Sequence, residues 1–338
     1  MGKLTMIAMD MSKHVFTLHG VDERGKVLLR RELHRQQLDR FFGKLPPVEV
    51  VLEACGGSHH WGRVLTALGH RVRLIPPQYV KPFVKRSKND RIDAEAIAEA
   101  AQRPSMRFVP VKSAETQAEA MILSVRALLM KQRTQLVNAV RGHAAEFGVI
   151  AAKGTQHVAA LLERLAAEPA VPAAAQAMFG ELGAALAQVS GRIAEQNRKL
   201  TALHKNNALS QQLTEVPGIG PVSGLTLALT ADARQFQSGR HFAAWLGLTP
   251  RQNSTGGKHR LGKISRKGNE QLRALLVNGA TAVVRYVKPE QGKGSAWLQA
   301  LVQRRPRKVV AVALANKMAR VVWATMPSGE AYRRQPAG

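Results

Sequence analysis

The chain has 338 residues, of which 45% are hydrophobic, so it can bury a sizeable core and is not a disordered basic tail. Lysine and arginine number 50 against 23 acidic residues, and the formal charge of +27 predicts nucleic acid as the partner. The single cysteine, Cys55, excludes an internal disulfide and any cysteine-based zinc cluster. Because Cys55 sits in a strand-like apolar run, we expect a packed core thiol.

The sequence carries no pattern typical of export or of a membrane span. The first ten residues lack a charged region followed by a long apolar stretch, and the most apolar later segment, 309–326, is interrupted by Asn316, Lys317 and Arg320. The cations of the C-terminal third do not form one face of an amphipathic helix, which excludes a membrane-surface protein. We therefore expect the protein to be located in a reducing cytoplasm and to have no membrane partner.

Alternating strands and helices are predicted for the first ~105 residues. The predicted strands are 5–9, 15–20, 26–33, 48–52 and 71–75. The predicted helices are 38–45, 61–68 and 90–101, the last capped by Asn89. This order of elements predicts a mixed α/β layer fold.

Two long amphipathic helices are predicted next, over 114–147 and 178–203, separated by an alanine-rich stretch that Pro169 and Pro172 break. The residues predicted on the apolar face of the first are Met121, Val125, Leu128, Leu136 and Val140. The pair could form a helical hairpin, an intermolecular coiled coil or an ordinary linker layer, and periodicity leaves these open.

A tight loop with two glycines, Gly218 and Gly220, belongs to an apolar segment predicted to be helical over 215–230. Its backbone N–H groups could hold a phosphate without reading sequence, or the loop could be a simple interhelical turn. A polar glycine-rich loop over 249–268 and helices over 269–287 and 307–326 follow. We expect all four tryptophans, Trp61, Trp245, Trp297 and Trp323, to pack in the core.

The basic charge is concentrated near the C-terminus. Residues 251–320 hold 16 lysines and arginines against two glutamates. The candidate phosphate-binding residues are Arg251, Lys258, Arg260, Lys263, Arg266 and Lys267. Because such residues would contact mainly phosphates, we expect the affinity for nucleic acid to fall steeply as the salt concentration rises.

Four carboxylates occur at predicted element ends in a chain that otherwise avoids acids. Asp10 and Glu53 lie at strand ends, and Asp90 and Asp93 lie in the first turn of a helix. Carboxylates suit hard cations, and strand cleavage uses one or two Mg²⁺ ions held by such oxygens. The order of the acids is that of ribonuclease-H-like nucleases, although Asp90 and Asp93 alone could be helix-start charges.

The loop over 249–258 contains a candidate nucleophile, Ser254. Its hydroxyl could attack a backbone phosphorus while Arg251, Lys258 or Arg260 stabilises the developing charge. The alternative is a flexible phosphate-holding turn. Spacing identifies no activating base, and Asp93 is one candidate.

Five motifs in order resemble the DEDD transposases of bacterial insertion sequences, in the IS110 family and its IS1111 branch. The motifs are MDMSK (9–13), LEACG (52–56), KNDRIDA (88–94), VPGIG (216–220) and LTPRQNSTGGK (248–258). The resemblance implies an RNase H-like (RuvC-like) N-terminal domain over 1–112, coiled-coil helices over 113–208 and a mainly helical transposase domain over 209–328. A tail over 329–338 follows.

The resemblance also implies a function and its residues. Members are Mg²⁺-dependent recombinases directed by a non-coding guide RNA that pairs with donor and target double-stranded DNA. On that similarity Asp10, Glu53, Asp90 and Asp93 form the metal-binding tetrad and Ser254 is the nucleophile, with Thr255 as the alternative hydroxyl. Members assemble as dimers or tetramers in which the tetrad of one subunit meets the serine of another. The resemblance therefore also implies a bacterial protein that is located in the cytoplasm and associates with the nucleoid.

Two other functions compete with this one. A junction resolvase or nuclease would cleave DNA with the metal and form no covalent intermediate, so it would keep cutting after Ser254→Ala. A non-catalytic architectural or RNA-binding protein would keep its activity after Asp10→Asn.

Overall fold

The computed structural model describes residues 2–85, 89–258, 260–291, 293–329 and 332. It divides into two compact units, Met1–Gln117 and Ala118–Gly338. Of the predicted tail, 329–338, all but Gly329 and Tyr332 lies outside the described residues, as does Lys88 of the third motif.

The first unit is built on a five-stranded sheet in the order β3-β2-β1-β4-β5. The strands are β1 (Met6–Met11), β2 (Val15–Val21), β3 (Val27–His34), β4 (Glu49–Glu53) and β5 (Arg71–Ile75). β1, β2 and β3 are antiparallel neighbours, whereas β4 runs parallel to both β1 and β5. All five strands were predicted, and β5 ends where Pro76 removes a backbone donor.

Four helices belong to this unit, and they cover both faces of the sheet. They are α1 (Leu38–Phe42), α2 (Ser58–Ala67), α3 (Pro77–Val80) and α4 (Asp90–Ala101). Side chains of a strand alternate between faces, so Ile7 and Met9 pack with α1 and α2. Met6 and Ala8 pack on the other face with α4. The mixed α/β prediction is confirmed, although α1 ends at Phe42, short of the predicted Leu45.

The two long predicted helices exist and contact each other within the chain. They are α5 (Ala114–Glu146) and α7 (Ala173–Lys205), with the unpredicted α6 (Val158–Ala167) between them. Leu123 shares a buried cluster with Leu200, and Val140 shares another with Phe179. Arg126 Nε also donates a hydrogen bond of 2.6 Å to Asn197 Oδ1.

The apolar face predicted for α5 was partly wrong, since Val140 is buried and Val125 and Leu136 are half-buried but the other two residues are exposed. Met121 and Leu128 are 64% and 55% exposed. The buried residues are Leu123, Leu129, Val137, Val140 and Ala144. A long helix with apolar side chains on several faces has no periodicity that selects one of them, and packing against other helices makes the selection.

The rest of the second unit is mainly helical. Its helices are α8 (Ala208–Thr214), α9 (Pro221–Thr230), α10 (Gly239–Trp245), α11 (Glu270–Arg285), α12 (Ala296–Arg304) and α13 (Arg307–Ser328). Its core is centred on α11 and α13, where Leu272, Leu276 and Met318 are buried. α9 begins at Pro221 rather than residue 215, because proline suits the first helical position. α12 was not predicted.

The segment predicted as a loop over 249–268 contains a short hairpin of β6 (Pro250–Gln252) and β7 (Leu261–Ile264). Polar, glycine-rich strands that are exposed on both sides carry no apolar alternation, so sequence patterns did not reveal them.

Helix α13 is long and apolar enough, by length and composition alone, to cross a membrane. Eight of its residues are buried, and it contributes much of the core of the second unit. It is therefore a core helix, consistent with the expectation from its interrupting polar residues.

Two side chains expected in the core are exposed. Cys55 lies in the turn between β4 and α2 and is exposed, because β4 already ends at Glu53. Trp297 is 38% exposed on α12, whereas Trp61 is buried and Trp245 and Trp323 pack against the core.

Candidate metal centre and candidate nucleophile

Neighbouring strands of the first unit bring Asp10 and Glu53 to the same edge and face of the sheet. The last paired residues of β1 and β4 are Met9 and Leu52, so Asp10 and Glu53 come directly after them. Asp10 follows Ala8 by two residues and Glu53 follows Val51 by two. Ala8 and Val51 both belong to the cluster that packs against α4. Both acids therefore face α4.

The first turn of α4 supplies the other two acids. Asn89 caps the helix by accepting a hydrogen bond of 2.9 Å from Ile92 N, which fixes its start. Carboxylate oxygens of Asp10, Asp90 and Asp93 all lie within 4.8 Å of one another. Glu53 is not part of this close group, although its charge acts on Asp10.

The electrostatics of this group show an excess of negative charge. The pKa of Asp10 is raised from 3.8 to about 6, chiefly by partial burial and then by the negative charges of Asp93, Asp90 and Glu53. Within the described residues, Asp10, Asp90 and Asp93 form no ion pair. Three carboxylates that converge without a cationic partner among the described residues suit a divalent cation. Their oxygens would coordinate the ion, and its charge would offset theirs.

Cys55 lies close enough to these acids for their negative charge to affect the pKa of its thiol. Partial burial, together with Glu53 and Asp10, raises the pKa of the Cys55 thiol. The thiol is therefore kept protonated and does not compete with the carboxylates for a hard cation.

A polar cavity of about 520 Å³ adjoins the acids on the β2 side. Thr17, which pairs with Asp10 across the strands, and Asn89, which precedes Asp90, both line it. Arg30, Arg31 and Arg91 line it too, and they were not singled out from the sequence. Arg30 and Arg31 are consecutive residues of the edge strand β3, and Arg91 follows Asp90 on α4.

The candidate nucleophile Ser254 lies in the second unit, beyond β6 in the loop of the hairpin. Ser254 is exposed, and its Oγ accepts a hydrogen bond of 3.1 Å from Arg260 N. Thr255 and Lys258 form an isolated bridge around Gly256 and Gly257, whose φ values of 54° and 75° require glycine. The loop thus presents Ser254 at a defined position in the hairpin.

The predicted phosphate-binding cations lie along the same hairpin, from Lys258 and Arg260 in the loop of Ser254 to Arg266 and Lys267 after β7. Arg251, Lys258, Arg260, Lys263, Arg266 and Lys267 are all exposed. The Arg251 guanidinium donates to Ser265 O across the hairpin at 3.3 and 3.4 Å, which holds that side chain in place.

The two glycines of the 216–220 loop differ in their surroundings. Gly218 has a φ of +92°, and a Cβ there would lie 3.0 Å from Gly279 O of α11, so close packing requires glycine. Gly220 is exposed before α9, and a Cβ there would meet nothing within 4 Å. The close approach to α11 explains Gly218 without any ligand.

Comparison with known proteins gives matches along most of the chain. Residues 7–148 match the family model of DEDD transposases of the IS110 type, described as "Transposase". Residues 210–294 match the model described as "Transposase IS116/IS110/IS902 family".

Several relatives match over nearly their whole length. A "Putative transposase y4pF/y4sB" of Sinorhizobium fredii is 51% identical over 98% of this chain and 86% of its own. A "Probable family 20 transposase" of Pseudomonas aeruginosa is 52% identical over 98% and 99%. The "Transposase for insertion sequence element IS1111A" of Coxiella burnetii is 41% identical over 98% and 92%.

Proposed function

The chain belongs to the IS116/IS110/IS902 family of insertion-sequence transposases, and we propose that it is a guide-RNA-directed, Mg²⁺-dependent DNA recombinase that uses Ser254 as its nucleophile. Family membership makes it a DNA transposase that uses a divalent metal. The identity of the metal, the guide and the covalent step are the content of the proposal.

The observation that carries the proposal is the convergence of Asp10, Asp90 and Asp93 within 4.8 Å. With Glu53 at the adjacent strand end, these are the residues that would hold Mg²⁺. The bound metal would supply charge neutralisation at the scissile phosphate. The neighbouring Arg31, together with Arg30 and Arg91 once these leave their partners Glu95 and Glu32, would hold the DNA backbone beside the acids.

The sheet supports an RNase H-like domain. Three antiparallel strands followed by two parallel ones, in the order β3-β2-β1-β4-β5, place the first-strand acid at the centre of the sheet. Helix α4 then delivers the last two acids to that strand from one face. We propose this fold assignment from topology and acid placement together.

Ser254 would act by transesterification. Its hydroxyl would lose its proton and form a bond to phosphorus, while the bond from phosphorus to a DNA sugar oxygen breaks and that oxygen takes up a proton. Attack by another DNA hydroxyl would reverse the step and free the serine, so the phosphodiester energy is conserved. Arg251, Lys258 and Arg260 would stabilise the charge on the phosphate oxygens.

The partners follow from the same scheme. Donor and target DNA would be held through their phosphates by Lys263, Arg266, Lys267 and the Gly218 and Gly220 loop, which read no sequence. Target choice would come from pairing with a guide RNA. A homo-oligomer, a dimer or tetramer, would bring the acids of one subunit to the serine of another. The reaction would take place on DNA of the bacterial nucleoid, in the cytoplasm.

The direct test is to trap the covalent intermediate. Purified protein with its co-purifying RNA is incubated with Mg²⁺ and end-labelled donor DNA, and protein–DNA adducts are resolved on a denaturing gel. The wild type and Thr255→Val should form an adduct, whereas Ser254→Ala should form none. Adducts that persist in Ser254→Ala but vanish in Thr255→Val would assign the reaction to Thr255.

A resolvase gives a different result. If Ser254→Ala still cuts DNA and the wild type yields no adduct, the enzyme hydrolyses the phosphodiester without a covalent step. The guide is tested separately by replacing its pairing segment, which should redirect the target. A target preference that is unchanged by guide replacement contradicts RNA guidance.

A further inference from the structure

A groove of about 1600 Å³ opens in the second unit; none of the residues assigned to catalysis lines it, and it shares Lys263 and Arg266 with the cations proposed to hold DNA phosphates. Residues of the β6–β7 hairpin, α10, α12 and α13 line it, and Val309, Val312 and Val321 contribute apolar surface. Its volume exceeds the roughly 300–1000 Å³ of an ordinary small-molecule pocket, so it suits a longer ligand.

Every charged side chain among the described residues that line the groove is a cation. Its six cations are Arg240, Lys263, Arg266, Lys308, Lys317 and Arg320. All six are exposed, and in the part of the chain that the structure describes none of them forms an ion pair. No described residue that lines the groove is acidic. Such a surface is complementary to a polyanion.

An exposed indole stands in the same lining. Trp297 is 38% exposed, and Lys317 Nζ lies 4.7 Å from its ring centroid. Trp323, also in the lining, instead donates from Nε1 to Phe236 O at 2.9 Å and is fixed against the core. An exposed aromatic ring among cations is how proteins hold unpaired bases, through stacking and phosphate contacts.

The walls of the groove are held in place by specific contacts. Asn316 Nδ2 donates to Leu248 O at 3.2 Å, which ties α13 to the segment before the hairpin. Arg266 adopts a left-handed φ of 55°, a conformation that is unfavourable for a residue other than glycine, and its N–H donates to Gly247 O at 3.1 Å. The Arg266 backbone is thus locked beside the groove.

We propose that this groove binds single-stranded nucleic acid, with an unstacked base on Trp297 and adjacent phosphates on the cations around it. The inference rests on the proposed function only in taking nucleic acid as the substrate. Unpaired DNA and unpaired RNA share the chemistry that the groove would recognise. A second copy of this chain is a poor occupant, because its formal charge of +27 would repel the cations.

The test is equilibrium binding by the full-length protein in EDTA. The probes are fluorescein-labelled oligothymidine and oligouridine of about 12 nucleotides, and an oligothymidine whose central positions are abasic. We expect Trp297→Ala to weaken binding of the base-bearing strands by about 5- to 150-fold and to leave binding of the abasic strand nearly unchanged. Trp297→Phe should retain most of the affinity. The tighter of the two base-bearing probes identifies the strand as DNA or RNA.

Matched variants separate this groove from the basic surface in general. Tyr286→Ala removes an aromatic side chain that is more exposed than Trp297 and does not line the groove, and it should bind as the wild type does. Lys317→Gln should reduce the slope of log affinity against log salt by about one, whereas Arg285→Gln, outside the groove lining, should not.

Two outcomes overturn the proposal. One is equal loss of affinity for base-bearing and abasic strands in Trp297→Ala, or no loss for either. The other is a Trp297→Ala protein that changes only its sedimentation and not its nucleic-acid affinity, which would make the groove a contact between copies. Because binding is measured without metal and without any cleavage step, failure of the catalytic proposal is distinguishable from failure of this one.

Discussion

Asp10 on β1 and Asp93 in the first turn of α4 bring carboxylate oxygens to within 4.8 Å of each other. They are distant in sequence, and each is delivered by a different kind of element. The charge of Asp93 is the largest electrostatic contribution, after burial, to the raised pKa of Asp10. The fold therefore holds like charges close together at this point, and a bound cation would reduce the repulsion between them.

Asp10→Asn should stabilise the metal-free protein at neutral pH. The folded-state pKa of about 6 lies above the ordinary 3.8, so the ionised carboxylate costs stability above pH 6 and this cost disappears as the pH falls to 3.8. We expect a gain of about 1 kcal/mol in the free energy of unfolding at pH 7.5, allowing for solvent screening, and almost none at pH 4.

Urea unfolding in EDTA at both pH values measures this difference. Asp39→Asn, an equal change of charge at an exposed site on α1, should show no gain at either pH. A wild type as stable as Asp10→Asn at pH 7.5 would mean that neither burial nor the neighbouring acids disfavour the ionised Asp10.

Gly218→Ala and Gly220→Ala should differ in stability although they lie in one loop. Alanine at position 218 must adopt a φ of +92° with Cβ 3.0 Å from Gly279 O, which should cost about 2 kcal/mol or more. Alanine at position 220 has open space at a φ of −91°, so its cost should be limited to the roughly 0.5–1 kcal/mol by which glycine is better than alanine at a helix N-cap. Thermal unfolding compares them, and equal melting temperatures would contradict the packing of Gly218 on α11.

Mixing two inactive variants tests whether the acids and the serine act across subunits. Asp93→Asn and Ser254→Ala should each be inactive in strand exchange, and mixed oligomers should recover up to about a quarter of the wild-type rate if one composite site needs one intact group from each subunit. Recombination of a labelled donor with a target is the readout. A mixture that stays inactive, while subunit exchange is shown by cross-linking, would place both groups of a site in one subunit.

Much of the first unit could be predicted from sequence because its signals are local. The β-branched runs of β4 and β5, the cap at Asn89 and the turn after β2 each agree with the final fold. The convergence of three acids also follows from strand order and the helix start. Cys55 was misjudged because it was treated as part of the buried run, although the strand was correctly predicted to end before it and Cys55 lies in the turn that follows.

The second unit was harder for a physical reason. The β6–β7 hairpin has no buried face, so it leaves no alternation in the sequence. The exposure of Met121, Leu128 and Trp297 depends on which helices cover them. Sequence periodicity shows which residues share a helix face but not which element packs against that face. The large groove is likewise a product of tertiary packing between α10, α12, α13 and the hairpin.

Binding of Mg²⁺ to the metal-free protein tests the central claim most directly. Isothermal titration should show binding to the wild type and to Asp39→Asn, and a loss of at least roughly tenfold in affinity for Asp93→Asn and Asp10→Asn. Affinity that is unchanged in both of these variants, or no binding by the wild type at millimolar Mg²⁺, would contradict the account.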